Sequence, residues 1–136
     1  MRRTLERPPK ITPADDNGYM AELTKDVFRV GVVQSFDGFN LIHVAAYGQD
    51  DLERLFEDRS IVRNRRKVIG AVENARTMLE FIDDHGSVHA YLRTLDNLDY
   101  YARVKVLTRP FAGLGRTSAF VFRHCVNEET PAWQDR

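Results

Sequence analysis

The segment RNRRKVIGAVENARTMLEFIDDHG, residues 63–86, narrows the folds open to this chain more than any other. Val68, Ala71, Val72, Ala75, Leu79 and Ile82 recur every three or four residues. A helix gathers them on one stripe, whereas a strand would scatter them over both faces. Such a helix runs for roughly six turns, and its apolar stripe has to be covered by other elements. Gly86 stands where the stripe ends and supplies a stop. Strand-like alternation is sustained nowhere else in the chain, so the covering elements must themselves be helices. The expected fold is all-α, a compact bundle of six or so short helices.

The rest of the chain divides accordingly. Residues 1–14 hold three prolines and four basic residues and read as a flexible N-terminal arm. Residues 15–136 read as a single helical domain. Its first helix lies in ADDNGYMAELTKDVFRVGVV, with Asp15, Asp16 and Asn17 as candidate caps and Tyr19, Met20, Leu23, Val27 and Val30 at helical spacing. SFDGFN carries a glycine turn. LIHVAAYGQDDLERLFE gives a short apolar piece, a break at Gly48, and a helix expected to start at Asp50 or Asp51. SVHAYLRTLDN is a short helix capped by Ser87, LDYYARVKVLTR is another, and TSAFVFRHCV runs helically to the loop NEETPAW.

With 136 residues, 43% of them hydrophobic, there is material for one core. Lys and Arg number 20 and Asp and Glu number 20, so no global field draws in polyanions. Nucleic-acid binding would need a local basic face. Cys125 is the only cysteine, which excludes an internal disulfide and fits a reducing compartment. The basic start MRRTLERPPK lacks the apolar core of a signal peptide, and no run reaches the ~18 apolar residues of a membrane span. A soluble, cytoplasmic protein without membrane partners is expected, its oligomeric state open.

Two short stretches carry chemistry. In FAGLGRTSAF, Gly113 and Gly115 bracket Leu114, which can drop into the core and pin a turn. Both glycines permit close approach of another molecule's backbone. Arg116, Thr117 and Ser118 follow in the first turn of the next helix, where N–H groups lack intrahelical acceptors and the dipole is positive. Helix, Gly-x-Gly turn and helix together form the helix–hairpin–helix pattern, which grips a DNA phosphate without reading sequence. An ordinary helix–helix turn, with glycine serving chain geometry, is the alternative. In IVRNRRK, Arg63, Arg65, Arg66 and Lys67 crowd a helix start, where the dipole disfavours cations. That placement hints at phosphate contact; for any single side chain, a solvated face or a loop tied down by arginines is the favoured alternative. Asn64 is read as structural.

Taken together, these stretches make the chain resemble the DNA-3-methyladenine glycosylase I family of the helix–hairpin–helix glycosylases, especially its shorter members without zinc. The likeness runs from Asp15 to Pro131. DDNGYMAELTKDVFRVG resembles the family's opening helix, whose closing Gln-Ala-Gly here reads Arg29-Val30-Gly31. FDGFN and IVRNRRK resemble its phenylalanine-aspartate and Ile-Arg-Asn-Arg blocks, HGSVHAYLRTLDN its Gly-Ser-Phe block, and FAGLGRTSAFVFRHCVNEETP its hairpin and final helix. The resemblance implies a monofunctional, cofactor-free enzyme acting on double-stranded DNA. It flips an alkylated adenine, chiefly 3-methyladenine, into a pocket and hydrolyses its N-glycosidic bond. Such a base is a cationic leaving group, so shape, stacking and a carboxylate can suffice. The register set by FRVG puts Asp26 where the family has a base-contacting glutamate, and Tyr19, two turns earlier, is the aromatic expected in the pocket.

There are departures. The family continues with Leu-Ser-Trp and a further helix; here Val32, Val33 and Gln34 lead straight to SFDGFN, so the pocket-wall tryptophan and its segment are missing. Zinc is not expected, with one cysteine and no histidine before His43. His85, His89 and His124 are read as surface residues; Asp135 lies roughly where other members of the superfamily place an aspartate that stabilises an oxocarbenium-like sugar, with a frayed terminal acid as the favoured alternative. Tyr47, Phe56, Tyr91, Phe111, Phe120 and Phe122 are expected in the core. Phe120 and Phe122 cannot share a helix face, which leaves one of them to line a groove. Two rivals stand beside the glycosylase: a catalytically inactive DNA-binding protein that keeps the hairpin, and a helical protein-interaction domain.

Overall fold

The opening turn of the first helix organises its neighbours. A computed structural model describes residues 7, 10–28, 40–58 and 65–136, with residues 26–28 as backbone only. Helix α1 spans Asp16–Phe28. The three candidate caps at its start serve three different helices. Asp15 Oδ1 accepts from the N–H of Gly18 at 2.9 Å and caps α1 itself. Asn17 Oδ1 accepts from the N–H of Leu41 at 2.8 Å, the first residue of α2 (Leu41–Ala45). Asp16 Oδ1 accepts from the N–H of Val88 at 2.8 Å, the first residue of α5 (Val88–Arg93). Each bond satisfies a helix-end donor that otherwise lacks a partner.

Helix α3 spans Gln49–Glu57 and so starts one residue before Asp50, the earlier of the two expected starts. Gly48 is the N-cap, and Asp51 reaches back so that its Oδ2 accepts from the N–H of Gly48 at 3.1 Å. The acid lies inside the first turn and serves the cap from there. Helix α4 spans Arg65–His85 and ends at Gly86, whose φ of +92° closes the helix. Helices α6 (Tyr100–Thr108) and α7 (Arg116–Cys125) follow, then a 3-10 turn at Trp133–Asp135. Among the described residues there is no strand, and the architecture is all-α.

The stripe of α4 is covered as its periodicity demands. Val68, Ala71, Val72 and Ala75 are buried and Leu79 and Ile82 pack at the margin. Helix α4 lies against α1, α2, α3 and α5; α1 also packs on α7, and α7 on α6. Phe120 and Phe122 do point to different sides of α7, yet both are buried. Phe122 enters the main core, while Phe120 sits with Tyr100, His124 and Trp133 in a second aromatic cluster. Trp133, brought back by the terminal 3-10 turn, covers the side expected to be a groove. The same turn overturns the surface placement of His124, which is 2% exposed and 4.9 Å from the Trp133 ring. Near the other terminus, the Ile11 N–H donates to the Cys125 carbonyl at 3.0 Å.

Candidate nucleic-acid interface

Between α6 and α7 the chain turns at Arg109–Gly115. Phe111 and Leu114 are each buried and anchor the turn at two points. Gly113 between them takes φ +73°, a left-handed conformation that costs any residue with a Cβ. Gly115, the N-cap of α7, is extended (φ −98°, ψ −172°), and a Cβ built on it would meet no atom within 4 Å. That open space lies over the first turn of α7. Arg116 and Thr117 are exposed and Ser118 is half-buried. Among the described residues, nothing accepts a hydrogen bond from their three backbone N–H groups. Among the described residues, three main-chain donors at the positive end of a ten-residue helix are thus left without an acceptor, an arrangement suited to an oxyanion.

A side chain overlooked in the sequence holds this turn. Asn74, 1% exposed in the middle of α4, uses both ends of its amide on one residue. Its Oδ1 accepts from the Ala112 N–H at 2.7 Å and its Nδ2 donates to the Ala112 carbonyl at 3.0 Å. Two turns further along α4, Phe81 meets Phe111 with ring centroids 5.8 Å apart and stacks on Tyr91 at 3.9 Å. Among the described residues, the α4 backbone keeps its Cα atoms more than 8 Å from those of α6 and α7, and the three helices meet through core side chains. The one legible signal for Asn74 is a polar residue set among Ala71, Ala75 and Met78 of an apolar stripe.

The basic residues of the α4 start are placed as follows. Arg65 and Arg66 are exposed and Lys67 is half-buried. The Arg65 guanidinium lies 4.9 Å from the Phe56 ring centroid. Arg63 and Asn64 lie outside the described residues. Arg116, at the α7 start, reaches over the ring of Tyr101 at 5.8 Å, and that tyrosine is 67% exposed. Gly113, Gly115, Arg116, Thr117 and Ser118 thus share one turn, while Arg65, Arg66 and Lys67 stand on a separate helix.

Tyr19 is buried in α1, its hydroxyl 3.3 Å from His89 Nδ1. Burial pushes its phenol above the ordinary tyrosine range; the Glu128 and Asp16 carboxylates push the same way and Arg93 opposes them. Glu128, itself buried, pairs with Arg93, and its Oε1 lies 4.0 Å from Nη2 of buried Arg123. That guanidinium also donates to the Glu129 carbonyl through Nε and Nη2, at 3.3 and 3.2 Å. Asp26 belongs to the last turn of α1, and its side chain lies outside the described part. So does segment 29–39, where the family's tryptophan segment is missing. His85, His89 and Asp135 are exposed. Among the described residues, no three His, Cys, Asp or Glu side chains gather as a metal site, and no helix is long and apolar enough to cross a membrane.

The fold is that of the helical DNA-3-methyladenine glycosylases. Superposition on 3-methyladenine DNA glycosylase I from Staphylococcus aureus gives a TM-score of 0.73 at 18% identity, over 85% of this chain and 78% of that one. A variant of such an enzyme in complex with 3-methyladenine gives the same score and identity over 79% of its chain. A further 3-methyladenine DNA glycosylase I matches with a TM-score of 0.69 at 18% identity, covering 85% of this chain and 81% of its own. The chain belongs to the methyladenine glycosylase family, whose model matches residues 25–109.

Proposed function

We propose that this protein is a DNA glycosylase that removes alkylated adenine, 3-methyladenine foremost, from double-stranded DNA in the cytoplasm. The observation that carries the reading is the uncovered first turn of α7 beside the open space at Gly115. It gives an electrically balanced protein a local grip on a phosphate. In this reading α6, the Gly113–Ser118 turn and α7 act as a helix–hairpin–helix, and Arg63, Arg65, Arg66 and Lys67 add phosphate contacts. Family membership and a structural relative solved with 3-methyladenine support the choice of base.

The chemistry asks little of the protein. An adenine alkylated at N3 is cationic, so breaking the bond from N9 to C1′ releases a neutral base. Water adds its oxygen to C1′ and gives up a proton. Asp26, in the position of the family's glutamate, contacts the extruded base through its carboxylate, which favours the positive charge of the bound base. Tyr19, two turns earlier on α1, is the pocket aromatic of this reading.

One observation favours a second reading, a DNA-binding protein without catalysis. Trp133, the only tryptophan of the chain, is engaged with Phe120 and His124, and Val32–Gln34 supply no substitute for the pocket wall. Release of 3-methyladenine from methylated duplex DNA separates the two. The wild type releases the free base, and Asp26→Asn loses release by a factor of about 100 or more while its DNA affinity stays within a few-fold. Binding without any release by the wild type would leave the second reading standing.

A further inference from the structure

The glycines that open the turn to a phosphate also loosen it. At Gly113 the backbone has two broad φ regions available, and a flexible grip would give up affinity to ordering entropy on every encounter. The peptide groups just before Gly113 are where that freedom has been removed. Asn74 brackets Ala112 with two hydrogen bonds, of 2.7 and 3.0 Å, from a side chain 1% exposed. A buried mid-helix amide, on a helix whose Ala71, Ala75 and Met78 are buried too, would be costly unless both its ends were paired, and one residue of the turn pairs both.

Among the described residues, no Cα of α6 or α7 comes within 8 Å of one of α4. The turn is tied to α4 through Asn74 on Ala112 and through Phe81 on Phe111. Phe81 supplies a ring contact that tolerates sliding, whereas the paired amide bonds fix position and direction. The same α4 carries Arg65, Arg66 and Lys67 at its start, Lys67 about 10 Å before Asn74 along the helix axis. We propose that Asn74 is a positioning residue for DNA: its paired bonds to Ala112 lock the Gly113–Ser118 turn to the basic start of α4, holding two phosphate contacts at one fixed spacing. This rests on the DNA-binding reading above and adds the device that couples its two contact elements.

The test measures duplex DNA binding by fluorescence anisotropy at several salt concentrations for wild type, Asn74→Ala and Asn74→Gln. Each protein is held below its own melting temperature and checked for native near-ultraviolet circular dichroism. The alanine variant frees the turn, and the glutamine variant keeps the amide but displaces it by one methylene. Both are expected to bind about tenfold more weakly. Their plots of log affinity against log salt are expected to flatten by roughly one, because turn and α4 start no longer engage phosphates together. Folded variants with wild-type affinity and salt slope, and only a lower melting temperature, would overturn the proposal. So would failure of both variants to fold, which would make Asn74 a residue of the fold alone. If the wild type itself does not bind duplex DNA, the underlying function fails instead.

Discussion

Gly113 and Gly115 stand one residue apart and are glycine for different reasons. At Gly113 the backbone itself demands it, with φ at +73°. At Gly115 the backbone is extended and would accept another residue, and the space where a side chain would go is empty of protein atoms. The first glycine serves folding, and the second, in the proposed reading, leaves room for a phosphate. Gly113→Ala should therefore destabilise the free protein by about 1–2 kcal/mol, the cost of a left-handed L-residue. Thermal unfolding without DNA reads this directly, and an unchanged melting temperature would show that the turn relaxes at no cost. Both glycines were legible in the sequence because turn and helix start are local features. Asn74 was not: its partner Ala112 lies 38 residues away, and one asparagine in a helix gives no hint of where its amide goes. His124 was misread for the same reason, since Trp133 reaches it only through the terminal 3-10 turn.

At the level of elements, the helices were readable because each carries its own period and stop signal. Helix α4 and its closing glycine, and α5 with its Ser87 cap, fall where spacing and capping chemistry put them. What stayed hidden is how the elements hold one another. Asp15, Asp16 and Asn17 look in the sequence like three competitors for one cap, and in three dimensions they cap three helices. Asp16→Ala should therefore act on α5, not on its own helix. It leaves the Val88 N–H without an acceptor, at a cost of about 1 kcal/mol, and lowers the melting temperature by roughly 3–5 °C. Hydrogen exchange locates the effect: amides at the start of α5 lose protection while those of α1 keep it. Equal loss in both helices would mean that the bridge from Asp16 to Val88 does not act alone.

For the whole molecule, the open question at the sequence level was how a chain with no net charge could hold a polyanion. In the proposed reading the attraction is local: backbone donors, a helix dipole and Arg116 meet at the start of α7, with Arg65, Arg66 and Lys67 on α4 adding to it. Gly115→Val isolates that place. Its extended backbone admits valine and the added Cβ meets no atom within 4 Å, so the variant should melt within a few degrees of wild type. Its two methyl groups occupy the volume a phosphate oxygen has to enter. Measured by anisotropy on duplex DNA at fixed salt, the folded variant is predicted to bind at least about tenfold more weakly than wild type, a loss of about 1.4 kcal/mol. Wild-type affinity in folded Gly115→Val would contradict the account, because DNA would then be held elsewhere on the protein.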